Sequence, residues 1–121
     1  MDNFFIVYYA TKLPDLTNST LWFEPTATND NIDGILLQNM DNYRRVKTFE
    51  GNYTLDQIYN LMQGEVWSPN GEGRELIQSL GLNHTSMSMG DIIYSGKDKE
   101  FWMVMPSGFS NVIFLDNPAI I

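Results

Sequence analysis

"GDIIYSGKDKEFWMVMPSGFSNVIFL", residues 90–115, decides the fold. Three apolar runs, DIIYS, EFWMVM and FSNVIFL, are separated by the turn segments GKDK and PSG. Runs rich in aromatic and β-branched residues between Gly, Pro, Asp and Ser read as strands. Connections this short place consecutive strands side by side and antiparallel. The stretch therefore predicts a C-terminal three-stranded meander. EFWMVM is apolar at five consecutive positions, so both faces of that strand need cover. A partner is the expected cover, a two-fold homodimer or a host protein. The alternative is a strongly curved sheet that buries both faces within one chain. The terminal NPAII adds apolar residues at a chain end.

Working outward, FFIVYYA (4–10) is aromatic and β-branched with no polar face, which predicts a buried strand. TLWFE (20–24) reads as a short strand ended by Pro25. ILLQNM (35–40) is a short helix or a connecting strand, because apolar runs of this length do not discriminate. NYRRVKTFEG (42–51) reads as a further strand. TLDQIYNLMQ opens with Thr54 and carries Gln57 at the position of a capping box, with Leu55, Ile58, Leu61 and Met62 on one helical face. Gly64 is the expected stop. GRELIQSL (73–80) predicts a second helix, and Gly81 sits where a C′ glycine belongs. Trp67 falls in the Pro/Gly loop between these helices and reads as a lid on the core, or else as a contact residue. The expected architecture is one α+β domain over residues 1–121: an antiparallel sheet of about five or six strands with two main helices packed on one face.

Directly before the meander lies HTSMSMGDII, residues 84–93, which holds the chain's sole histidine. The alternation of polar and apolar residues breaks at Gly90, as at a bulge or turn. Asp91, Ser86 and Ser88 are suited to accept backbone amides there. The stretch thus reads first as a structured turn that positions the meander. The candidate binding or motif residues are His84, Ser86, Ser88, Asp91 and Trp67. No catalytic residue is assigned. Ser86, Ser88, His84 and Asp91 hold the inventory of a triad. In extended chain, however, residues two apart lie roughly 7 Å from one another, and no nucleophile elbow is present. His84 with Asp91, Glu65 and Asp116 lacks metal-ligand spacing, so no metal and no cofactor are expected. Asp15 with Glu24, and Glu72 with Glu75, are carboxylate pairs without surroundings that predict burial. Met87, Met89, Met103 and Met105 read as core first and as an adaptable binding face second.

The 121 residues fit one domain, and 43% hydrophobic with 13% aromatic content excludes a disordered chain. With no cysteine, disulfides and thiolate chemistry are out. The net charge of −8 disfavours phosphate backbones, and the clusters Arg44, Arg45, Lys47 and Lys97, Lys99 are too small for a nucleic-acid patch. No nucleic acid and no membrane are expected as partners. FFIVYYA is too short for a membrane span and lacks the flanks of a signal peptide, which fits a cytoplasmic protein.

Tyr43 with Val46, the capped helix TLDQIYNLM, then SMSMGDII, then FWMVMPSGFSNV follow an order that resembles the YodL-like domains. That family is marked by an S-x-S-x-x-D-hydrophobic segment after its helices, matched here by Ser86, Ser88, Asp91, Ile92 and Ile93. An aromatic strand follows at Phe101 and Trp102, and a Gly-Phe turn at Gly108 and Phe109. The resemblance covers mainly residues 42–114. Gly90 stands where a serine is expected, and EVWSPNGEG lengthens the segment before the motif. The resemblance implies an accessory protein of phages or mobile elements, cytoplasmic in a bacterial host, without a defined reaction. The expected mode of action is non-enzymatic binding of a protein partner. A small enzyme built on His84 and Asp91 is the alternative. A further one comes from MGDII, which also resembles the strand start of RNA-binding PUA- and ASCH-type barrels.

Overall fold

The computed structural model describes residues 3–11, 35–37 and 40–115. The strands are β1 (Phe4–Ala10), β2 (Ile35–Leu37), β3 (Tyr43–Glu50), β4 (Ile92–Ser95), β5 (Glu100–Val104) and β6 (Phe109–Phe114). Three short helices, α1 (Leu55–Leu61), α2 (Gly64–Trp67) and α3 (Arg74–Ser79), lie between β3 and β4. The fold is α+β. Among the described residues the sheet order is β2-β6-β5-β4-β1-β3, an open sheet and not a closed barrel.

The meander forms as its turns dictate, with β4 antiparallel to β5 and β5 to β6. β1 is apolar on both faces because it is interior: it pairs antiparallel with β3 on one flank and β4 on the other. Its side chains divide by parity. Ile6, Tyr8 and Ala10 join Ile92, Tyr94, Phe101, Met103, Val112 and Phe114 in one cluster. Phe5, Val7 and Tyr9 join Ile93 and Val104 on the other face, together with Ile58, Met62, Ile77, Leu82 and Met87 from the helical region. β3 carries one extra residue opposite the Val7–Tyr8 step, where the register moves from Lys47 to Arg45. This bulge at Val46 sets Tyr43 beside Ala10 on one face and Phe49 beside Phe5 on the other.

Several expectations change. ILL is a strand, and β2 runs parallel to β6, so the sheet is not purely antiparallel. Among the described residues there are three helical segments and not two, because Gly64 starts α2 instead of ending α1, whose C-cap is Met62. Trp67 accordingly ends a helical turn and does not lie in a loop. The capping box is present, with Thr54 Oγ1 accepting from Gln57 N and Gln57 Oε1 from Thr54 N. Gly81 adopts φ +73° while its N–H reaches Gln78 O and Leu82 N–H reaches Ile77 O, both at 3.0 Å. That paired bond is the Schellman end that only a residue tolerant of positive φ closes cheaply. Burial on β5 is met inside the chain by Phe101, Met103 and Val104, whereas Ile113 and Leu115 on and beside β6 stay 42% and 56% exposed. The expected strand at 20–24, the pair Asp15 and Glu24, Asp116 and the NPAII end lie outside the described residues.

Candidate functional site

Residues 84–91 are a turn, not a strand, because their backbone groups bond in several directions and Gly90 takes φ +97°. Strand parity would place Met87, Met89 and Asp91 on one face. Instead Met87 is 1% exposed and Met89 37%. Met87 is pinned to the end of α1: its N–H donates to Met62 O at 3.1 Å, and its carbonyl accepts from Gln63 Nε2 at 3.2 Å. Ser86 Oγ accepts from Gly64 N at 2.7 Å. Gln63, the N-cap of α2, supplies no side-chain bond, so Ser86 satisfies that orphan amide from a distant segment. Thr85 O accepts from Tyr9 Oη at 2.7 Å and from Trp67 Nε1 at 3.0 Å.

Asp91 is the centre of the arrangement and is 1% exposed. The β1–β4 ladder runs from Phe5 with Ser95 to Tyr8 with Ile92 and then stops. Ala10 N–H lies past that end, and Asp91 Oδ1 accepts it at 2.8 Å. Oδ2 accepts Ser88 N–H at 2.8 Å and meets His84 Nε2 at 2.7 Å. A carboxylate can only accept, so Nε2 carries the proton. The imidazole lies flat on the Tyr9 ring, with centroids 4.7 Å apart and planes 12° apart. Across the turn, Tyr43 Oη donates to Gly90 O at 3.0 Å, and Gly90 N and Val104 N bond to Val104 O and Asp91 O. Asp91 thus joins β1, the turn and the start of the meander.

Charge follows this geometry. The hydrogen bond to Asp91 raises the His84 pKa above 6.5; partial burial opposes this and the carboxylate's charge adds to it. Burial first, and then the Asp91 charge, push the Tyr9 and Tyr43 hydroxyls far up, so both stay neutral donors.

The structure brings His84 and Asp91 together and sets Ser88 N–H beside them. The two serine hydroxyls face elsewhere: Ser86 Oγ to Gly64, and Ser88 Oγ to Ser86 O at 2.9 Å. His84 and Asp91 therefore form a dyad with no hydroxyl aligned on the imidazole among the described residues. Trp67 is half-buried against the helix-side cluster and bonded to the turn through its indole. Glu65 is exposed, and no group of three or more His, Asp or Glu side chains lies together among the described residues. Sequence reasoning missed Tyr9 and Gln63, and it marked Tyr43 only through the family resemblance, not as a partner of the turn. Tyrosines inside an apolar strand are a usable signal, since a buried hydroxyl must find an acceptor. No family model matches the chain, and no curated protein or solved structure matches it either.

Proposed function

We propose that the chain is a single YodL-like α+β domain that acts as a non-enzymatic accessory protein of phage or mobile-element origin. It works in the bacterial cytoplasm by binding a protein partner, either a host protein or a second copy. One observation carries this reading: the polar groups of the 84–91 motif bond inward. Asp91 accepts from Ala10, Ser88 and His84, the Ser86 hydroxyl accepts from Gly64 at the start of α2, and the Ser88 hydroxyl is taken up within the motif by Ser86 O. The motif then serves to build the surface and not to react at it. Exposed large apolar side chains among the described residues include Val66, Ile113 and Leu115, the kind of groups a protein interface covers. Among the described residues no helix is long and apolar enough to cross a membrane.

Affinity capture from a bacterial lysate with mass spectrometry, beside light scattering at micromolar concentration, tests the reading. A captured protein lost on Ile113→Asp, or a dimer mass, supports it. A mass near 13.9 kDa with an empty capture overturns it.

The 2.7 Å contact between His84 and Asp91 favours a second reading, a small enzyme in which Asp91 orients a partly exposed imidazole as a general base. An activity abolished by His84→Gln, with the fold intact, would put this reading first.

A further inference from the structure

Asp91 is almost wholly buried, and its two oxygens hold the end of β1, the Ser88 amide and the imidazole. A carboxylate so far from water needs a compensating charge, and a charged imidazole compensates it better than a neutral one. His84 is placed to alternate between the two. Its side chain is 29% exposed, so protons exchange with solvent without the turn opening. One face lies on Tyr9, Nε2 meets Asp91, and Nδ1 has no partner among the described residues. The ionisable groups around it come from three segments. Asp91 is on its own turn. Tyr9 is on β1. Tyr43 on β3 bonds to Gly90 O, and both tyrosines are neutral. Among the described residues, Asp91 is thus the charge that acts on the imidazole.

We propose that His84, Asp91 and Tyr9 form a pH-dependent latch, which holds the 84–91 turn against the end of β1 while the imidazole is charged and loosens when it is neutral. The turn also carries Ser86 on Gly64 N, Met87 on Met62 O and Thr85 O on Trp67 Nε1. Loosening it therefore releases the α1–α2 junction and Trp67 together. The sign follows from linkage. The folded-state pKa of His84 is raised above 6.5. The charged pair then contributes fully below pH 6.5, and its contribution is lost as pH rises through the folded-state value.

The chain has one histidine, so its NMR titration gives a single unambiguous midpoint. The second readout is the hydrogen-exchange protection of the Ala10 and Ser88 amides, corrected for the intrinsic pH dependence of exchange. The latch requires a midpoint above 6.5. It also requires protection to fall with rising pH by about tenfold for each unit that the midpoint exceeds the unfolded value. His84→Gln keeps a donor for Asp91 without titrating, so its protection should be flat with pH. A midpoint at or below the unfolded value overturns the proposal. So does flat protection in the native chain, or an equal fall in His84→Gln. If that variant does not fold, the native titration and its match to the protection data decide alone.

Discussion

Asp91→Ala removes the acceptor of two backbone amides and the partner of His84 in one step. Ala10 N–H is buried, and in the variant it loses its acceptor where water does not reach it. A buried donor left unpaired costs about 1–3 kcal/mol. Ser88 N–H is only part-buried, so water recovers some of its bond, and about 1 kcal/mol is assigned to it. The His84 contact adds less, because the ring is partly exposed and screened by solvent. The expected loss is therefore about 2–4 kcal/mol, larger than the ~1 kcal/mol of an ordinary lost helix cap. Against a total stability of about 5–15 kcal/mol this is a large fraction. Urea unfolding followed by far-UV circular dichroism measures it. With a slope near 2 kcal/mol/M, the midpoint should fall by about 1–2 M. Asp91→Asn should lose roughly half as much, since its carbonyl keeps Ala10 while its amide faces the Ser88 donor. A loss below about 0.5 kcal/mol for Asp91→Ala, within the range of a neutral surface change, would refute the reasoning. It would mean that the carboxylate does not hold the end of β1.

Thr54→Ala should cost about 0.5–2 kcal/mol by opening the capping box of α1, and a thermal melt beside Thr54→Ser, which keeps the hydroxyl, checks it. Gly73→Ala should cost about 1–3 kcal/mol. A Cβ there would stand 2.5 Å from the Trp67 ring, which is held by its bond to Thr85 O; unchanged stability would mean that the indole moves freely. Fluorescence anisotropy at low salt, where phosphate contacts are strongest, should find no tight binding of DNA or RNA by a chain of charge −8. Sub-micromolar binding to any oligonucleotide would refute that.

What was legible in the sequence were features set by neighbours in the chain. The meander follows from turn chemistry at GKDK and PSG, and α1 and the end of α3 follow from Thr54 with Gln57 and from Gly81. What was not legible depends on partners far along the chain. Three residues of ILL carry no period, and their parallel pairing is decided by β6, some 77 positions later at Ile35 with Val112. Gly64 looked like a stop because a glycine after an apolar stripe usually is one. It starts α2 because Ser86, 22 residues away, accepts its amide. The same holds at the site. The motif announced a turn, and Asp91 as its polar anchor. Yet the amide it holds besides Ser88 belongs to Ala10, 81 residues upstream. The ring beneath His84 is Tyr9 from that same strand. A strand with no polar face reads as plain core, yet its parity also sends Tyr9 toward the turn and Tyr8 to the opposite cluster. The hydroxyl in an apolar strand is the clue: Tyr9 Oη bonds to Thr85 O within the motif and to Met62 O, the carbonyl that also accepts Met87 N–H. The HTSMSMGDII segment is thus shaped as much by FFIVYYA as by its own residues, and a change at Tyr9 should be felt at His84 as directly as a change at Asp91.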